Sequence, residues 1–176
     1  HFMLDAEVRR GGHTVGASTA LNDVVVHAGT MARMMEFQLA VDGEFVYEQR
    51  SDGLIISTPT GSTAYALSAG GPIMHPRLDA ICIVPMFPHT LTSRPLVVQG
   101  DCEISVELGD YCPEHPQVSC DSQVDLEVAP GDHVVIRKKP RTLALLHPLE
   151  HSFYESCRSK LDWGSRLGDK RNGGGG

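Results

Sequence analysis

At 176 residues the chain has the length of one domain, or of one domain with an appendage. Its 41% hydrophobic content is enough for a real core and excludes wholesale disorder, while a net charge of −7, from 22 acids against 15 bases, argues against DNA or RNA as a partner. No stretch approaches the roughly 18 apolar residues of a membrane span and no signal-peptide pattern opens the sequence, so neither a membrane anchor nor export is expected.

Alternation with period two dominates the first half. Phe2, Leu4, Ala6 and Val8 face one way and Met3, Asp5, Glu7 and Arg9 the other, as a half-buried strand requires. Gly11-Gly12 breaks the chain, and Ala20 to His27, with Val24, Val25 and Val26, reads as the next strand. Phe37, Leu39 and Val41 alternate into Asp42-Gly43, followed by Phe45 and Tyr47, a strong hairpin signal. Further strands are predicted at Leu54–Ser57, Ala80–Val84, Leu96–Gln99, Cys102–Leu108, Val118–Cys120, Val124–Val128, His133–Arg137 and Thr142–Leu146. The fold class is therefore mainly β: a β-sandwich of many short antiparallel strands. One short helix is predicted after Thr63 and one C-terminal helix from about Ser152 to Leu161. The closing Gly173–Gly176 run is left out of fold reasoning.

Charge is uneven. Nine acids fall between Asp101 and Asp132, a stretch without Lys or Arg, and read as a solvated face. The run Arg137-Lys138-Lys139-Pro140-Arg141 reads as an exposed strand end. The five cysteines contain no CxxC pair, which fits reduced thiols in a cytoplasmic setting. The nine histidines show no HExxH or other metal spacing, so no protein-bound metal is predicted.

One segment stands apart. Leu54-Ile55-Ile56 runs into Ser57-Thr58-Pro59-Thr60-Gly61-Ser62-Thr63, a loop with five hydroxyl residues. Pro59 ends strand pairing because it lacks an N–H, and Gly61 permits positive φ or close backbone approach by a ligand. Ser62 or Thr63 is predicted to cap the short helix, aiming N–H groups at an anion or a ribose oxygen. The loop is neither GxxxxGK[ST] nor GxGxxG, and a plain turn with solvent-facing hydroxyls is the competing reading.

The run Asp52–Tyr65, continued by Ala66-Leu67-Ser68-Ala69-Gly70-Gly71-Pro72-Ile73, resembles the signature of NAD kinases (ATP-NAD kinases). Ala20-Leu21-Asn22-Asp23-Val24-Val25, Pro85–Leu91 with Ser93-Arg94-Pro95-Leu96, and Ser119-Cys120-Asp121-Ser122-Gln123 resemble other stretches of that family, in order and spacing. The resemblance covers most of Phe2–His147 and implies the family's C-terminal β-sandwich domain. The family's Gly-Gly-Asp-Gly-Thr motif, whose aspartate is the catalytic base, does not occur in this sequence. No catalytic residue is therefore assigned here, and the fragment alone is expected to be inactive.

The resemblance implies the rest of the expectations. The family transfers a phosphoryl group from ATP, or polyphosphate in some members, to the 2′-hydroxyl of the adenosine ribose of NAD, giving NADP; Mg2+ arrives with ATP. Asn22 is expected to hydrogen-bond adenine or its ribose, and Asp23 to accept from ribose hydroxyls. Asp52 falls to the nicotinamide ribose or amide. Thr63, Ala64, Tyr65 and Ser68 form the ligand wall, Arg33 and Arg50 lie near the pyrophosphate, and Gln123 is a polar contact. Residues 1–149 are expected to form the NAD-binding, oligomerising domain of a homodimer or homotetramer. Residues 150–176 are expected to pack on the N-terminal α/β domain of the same enzyme. The alternatives are a related lipid (diacylglycerol or sphingosine) kinase domain and a non-catalytic nucleotide-binding module; the polar Ser/Thr loop and the Asn22-Asp23 pair disfavour a lipid-tail pocket.

Overall fold

The computed structural model describes residues 1–29, 34–148 and 152–164. They fall into two units, residues 1–144 and residues 145–176. The first unit holds two six-stranded antiparallel sheets. One sheet is built from β1 (Phe2–Arg10), β2 (His13–Ala20), β4 (Met35–Val41), β5 (Glu44–Ser51), β9 (Ile104–Leu108) and β12 (His133–Thr142), after the second sheet's β3 (Asp23–His27) has intervened in sequence. The second sheet adds β6 (Gly53–Ser57), β7 (Ala80–Met86), β8 (Leu96–Gln99), β10 (Gln117–Cys120) and β11 (Val124–Glu127) to β3. Their orders are β2-β1-β12-β9-β4-β5 and β11-β10-β3-β6-β7-β8.

Alternation puts the core between the sheets. Leu4, Ala6, Val8, Phe37, Leu39, Ile104, Val106 and Ile136 meet Val24, Val26, Leu54, Ile56, Ile81, Ile83 and Val118 in one cluster, nearly all fully buried. Each such aliphatic side chain contributes about 1.5–3 kcal/mol relative to exposure. The unbroken runs Val24-Val25-Val26 and Leu54-Ile55-Ile56 have a further cause. The outer face of the second sheet is also covered: Val25, Ile55, Cys82, Val84 and Met86 pack with Ala66 and Met74 from the connection between β6 and β7. Strands buried on both faces lose the polar half of the alternation.

The two-sheet sandwich agrees with the sequence expectation, and three local features differ from it. Gly11-Gly12 reverses the chain instead of breaking it: φ of 56° and 82° makes a two-residue turn that pairs Arg10 with His13. β2 went unread because it is an edge strand with its first half exposed, so no apolar face marks it. The expected strand Thr142–Leu146 is instead the end of β12, which continues through the basic run and stops at Thr142. Pro140 is accommodated where the β1–β12 register shifts between Phe2 and Leu4. There the basic side chains are paired: Lys139 with Asp5 (2.9 Å) and Lys138 with Asp79 (2.6 Å).

The connection after β6 contains a single 3₁₀ turn, Gly61–Thr63, and a one-turn helix, α1 (Tyr65–Ser68). In the second unit, α2 (Phe153–Leu161) begins where Ser152 Oγ accepts from the Glu155 N–H and ends at Asp162 in the left-handed conformation.

Candidate functional site

The site is built where β3 and β6 lie side by side. Asp23 stands opposite Ser57 at one end of this pair and His27 opposite Gly53 at the other. Beyond Ser57 the chain cannot continue the ladder, because Pro59 has no N–H, and it folds back onto the segment entering β3. The Thr58 N–H donates to the Asn22 carbonyl (2.9 Å), and Thr58 Oγ1 donates to the Leu21 carbonyl (2.7 Å) while accepting from the Gly61 N–H (3.1 Å). Gly61 sits so close that a Cβ there would lie 2.0 Å from the Asn22 carbonyl oxygen. This close approach is what requires glycine.

Three of the five loop hydroxyls are therefore structural. Ser57, Thr58 and Ser62 are fully buried. Ser62 Oγ donates to the Pro59 carbonyl (2.6 Å) and accepts from the Met74 N–H (2.9 Å), tying the loop to the cover of the outer face. The expected capping by Ser62 or Thr63 does not occur: neither the 3₁₀ turn nor α1 has a side-chain cap. Several of the loop amides are also taken up. The Gly61 N–H is held by Thr58, and those of Ser62 and Ala64 donate to the Pro59 and Gly61 carbonyls. The loop thus satisfies several of its own donors, as buried backbone requires.

The segment opposite is gripped from its other side. The Asp121 carboxylate, in the turn between β10 and β11, accepts from the N–H groups of Leu21 (2.7 Å), Asn22 (2.7 Å) and Asp23 (3.2 Å). Asp121 and Ser122 have φ of 51° and 54°, and the Asp121 N–H donates back to the Asp23 carbonyl (3.0 Å). With its backbone fixed on both sides, Asn22 keeps its side-chain amide without a hydrogen bond to the described residues. Asp23 is 3% exposed. Burial first, and then the negative charge of Asp121, pushes its carboxyl up to about 6. The segment thus presents an amide and a carboxyl with an unusually held proton, both suited to hydroxyls and a heterocycle.

The other expected residues are placed as follows. Thr63 is half-buried and Ala64, Tyr65 and Ser68 are exposed along the 3₁₀ turn and α1. Gln123 is exposed in the turn that carries Asp121, its N–H donating to the Cys120 carbonyl. Asp52 precedes β6, at the end of the strand pair remote from Asn22; four strand steps separate Gly53 from Ser57, roughly 13 Å. Arg50 lies on β5 of the other sheet, where its Nε donates to Glu36 (2.7 Å) and its guanidinium stacks over Tyr111 at 4.9 Å. Arg33 lies outside the described residues. Contacts join Asn22 and Asp23 to the Thr58–Gly61 loop; they do not bring Arg50 or Asp52 to that end. Among the described residues no group of three or more His, Cys, Asp or Glu side chains is arranged to hold a metal ion.

Asp121 escaped sequence reasoning as a site residue. Its signal, an acid in a turn between short strands, is indistinguishable from ordinary turn chemistry until its three backbone partners, about a hundred residues away, are known.

A β-sandwich that fastens one loop against a polar segment, with that segment's Asn22 amide half-buried and its Asp23 carboxyl buried without a cationic partner among the described residues, defines a domain equipped for a hydroxyl-bearing ligand. Residues 21–147 match the family described as the ATP-NAD kinase C-terminal domain, and the chain belongs to that family. It is 60% identical over 167 residues to the NAD kinase of Pseudomonas aeruginosa, covering 95% of this chain and 57% of that protein. It is 62% identical over 164 residues to the NAD kinase of Hahella chejuensis, covering 93% of this chain and 55% of that one. The chain thus spans a little over half the length of these curated relatives. Among solved structures it is similar to yeast NADH kinase complexed with NADH, with a TM-score of 0.72 and 29% identity, over 78% of this chain and 40% of that one. It also resembles an NAD kinase from Archaeoglobus fulgidus in complex with ATP, with a TM-score of 0.64 and 29% identity, over 80% and 52%.

Proposed function

We propose that this chain is the part of an NAD kinase that binds the acceptor dinucleotide and presents its adenosine 2′-hydroxyl for phosphorylation by ATP, yielding NADP. The observation that carries this reading is the Asn22-Asp23 segment, fixed by Asp121 and the Thr58–Gly61 loop, with the Asn22 amide and the Asp23 carboxyl unbonded to the described residues. In it the Asn22 amide holds adenine or its ribose, and Asp23 accepts from ribose hydroxyls once ionised. Thr63, Ala64, Tyr65 and Ser68 line the side above, Tyr65 covering the base with its exposed ring, and Gln123 adds a polar contact from the neighbouring turn. Asp52 serves the nicotinamide ribose or amide. Arg33 and Arg50 serve the pyrophosphate, Arg50 exchanging Glu36 for phosphate oxygens.

Phosphoryl transfer needs an in-line hydroxyl, a base for its proton and a divalent ion to offset phosphate charge. This chain positions the hydroxyl. The base falls to a Gly-Gly-Asp-Gly-Thr aspartate in the N-terminal portion that the relatives' greater length provides. Mg2+ arrives with ATP, held by its phosphates and by the portion outside this chain.

The working enzyme is a homodimer or homotetramer, a reading supported by the edge strands β2, β5, β8 and β11, whose outer backbone groups are open to pairing. Residues 150–176 dock on the N-terminal portion. The setting is cytoplasmic, a reading supported by five cysteines that are all free thiols.

The test is calorimetric titration of the chain with NAD, NADP and a diacylglycerol dispersion, followed by an assay of NADP formation with the N-terminal portion of a relative added in trans. Dinucleotide binding that Asn22→Ala abolishes supports the reading; lipid binding, or dinucleotide binding indifferent to Asn22, refutes it.

A further inference from the structure

We propose that Asp121 is a positioning residue for the dinucleotide site: its carboxylate holds the Asn22-Asp23 segment in its binding placement without touching the ligand. This rests on the reading of the site given above.

The geometry is specific. The chain leaves β2 at Ala20 and must cross from one sheet to the other to enter β3 at Asp23. Such a crossover cannot use ladder hydrogen bonds, so its three consecutive amides need another acceptor. Asp121 supplies it, with Oδ2 taking the Leu21 N–H and Oδ1 taking those of Asn22 and Asp23. The Asn22 carbonyl is meanwhile held by the Thr58 N–H, so the residue is pinned from the β10–β11 turn on one side and from the β6 loop on the other. A peptide fixed at both its N–H and C=O points its side chain in one direction, which is the preorganisation a binding amide needs.

The same carboxylate acts on Asp23 through charge. Asp121 faces it from the β10–β11 turn, and Ser57 stands across the ladder on β6. Cys120 on β10 carries a thiol that burial pushes up and keeps neutral. Asp125, one strand further out on β11, is bonded to Ser119. No Lys, Arg or His among the described residues pairs with Asp23. Burial first, and the Asp121 charge second, keep its carboxyl protonated to about pH 6, and Asp23 serves as a pure acceptor for ribose hydroxyls only above that point. Asp121 thereby adds to the burial of Asp23 in moving the acid limb of binding toward neutrality.

The test uses Asp121→Asn and Asp121→Glu in this chain, with NAD as the probe and calorimetry from pH 5 to pH 8.5. In Asp121→Asn an NH2 replaces one carboxylate oxygen, so donor faces donor, and the charge is gone. The dissociation constant at pH 8 is expected to rise about tenfold, equivalent to about 1.4 kcal/mol. The midpoint of the acid limb is expected to fall by about half to one pH unit. Asp121→Glu keeps the charge but not the reach: it is expected to weaken binding and leave the midpoint in place. A ligand-free measurement stands beside these, since in the unaltered protein the Leu21 and Asn22 amides should exchange with solvent as slowly as those of β3.

Uniform weakening by Asp121→Asn with an unmoved midpoint overturns the assignment, as do unchanged affinity or fast exchange at Leu21 and Asn22. If Asp121→Asn does not fold, a midpoint displaced in Asp121→Glu overturns it, and an unmoved one with weaker binding upholds it. Failure of the unaltered protein to bind NAD sinks the reading of the site as well, and so is told apart from failure of this inference alone.

Discussion

Replacing Gly61 by alanine is the sharpest test of how the loop is held. The new Cβ would lie 2.0 Å from the Asn22 carbonyl oxygen, 2.4 Å from its carbon and 2.7 Å from its Cα. All three are backbone atoms, and that backbone is clamped by Asp121, so no side chain can rotate away. The loop must lift, losing the 2.9 Å bond from the Thr58 N–H to Asn22. Overpacking of this kind costs about 1–3 kcal/mol and the lost bond about 1 kcal/mol more, for a total of about 2–4 kcal/mol. For a chain of this size each kcal/mol moves the melting temperature by about 2–4 °C, so a fall of about 4–16 °C is expected by scanning calorimetry. Gly16→Ala is the matched control. Its Cβ would meet only the Leu126 side chain, no nearer than 3.5 Å, and strand glycine is itself unfavourable, so stability should hold or rise by up to about 1 kcal/mol. NAD affinity should fall in Gly61→Ala and not in Gly16→Ala. If Gly61→Ala melts within about a degree of the unaltered protein and binds NAD equally well, the loop is not seated on Asn22 and the argument for the site fails.

Asp23→Asn should trade binding for stability. Because the folded carboxyl holds its proton to about 6, the native state binds more protons than the unfolded chain between that value and 3.8, and stability falls as pH rises through this window. The loss amounts to about 3 kcal/mol, so the variant should melt higher than the unaltered protein at pH 8, equal it near pH 4 and bind NAD poorly; denaturant unfolding across pH checks this. Thr58→Val keeps the side-chain shape but leaves the Leu21 carbonyl and the Gly61 N–H without their partner, a cost of about 1–3 kcal/mol read from the urea midpoint. Ser122→Gly relieves a non-glycine residue at φ 54° in the β10–β11 turn and should stabilise by about 0.5–1 kcal/mol without altering affinity. Loss of stability there would contradict the turn geometry.

The strands with one buried face were legible because their periodicity is local: β1, β4 and the Asp42-Gly43 turn need only neighbouring residues to be read. β2 was not, since an edge strand with polar residues on both faces leaves no pattern. The site divides the same way. Asn22, Asp23 and the loop after β6 stood out by composition and motif, whereas the duty of each hydroxyl did not. Ser62 looked like a cap and is a buried tie to Met74, a partner twelve residues on whose position only the folded connection fixes.

A mainly β chain, its principal hairpin and a hydroxyl-rich loop of family character can be read from neighbouring residues, because alternation, turn chemistry and motif order are local properties. The assembled fold settles what local pattern cannot: three of those hydroxyls are sealed inside, Asp52 stands at the far end of the strand pair, and Asp121 accepts from three successive amides before β3. Those outcomes depend on which carbonyls and amides are left without ladder partners when two sheets are joined, and chain separation hides such pairings until the sheets are assembled.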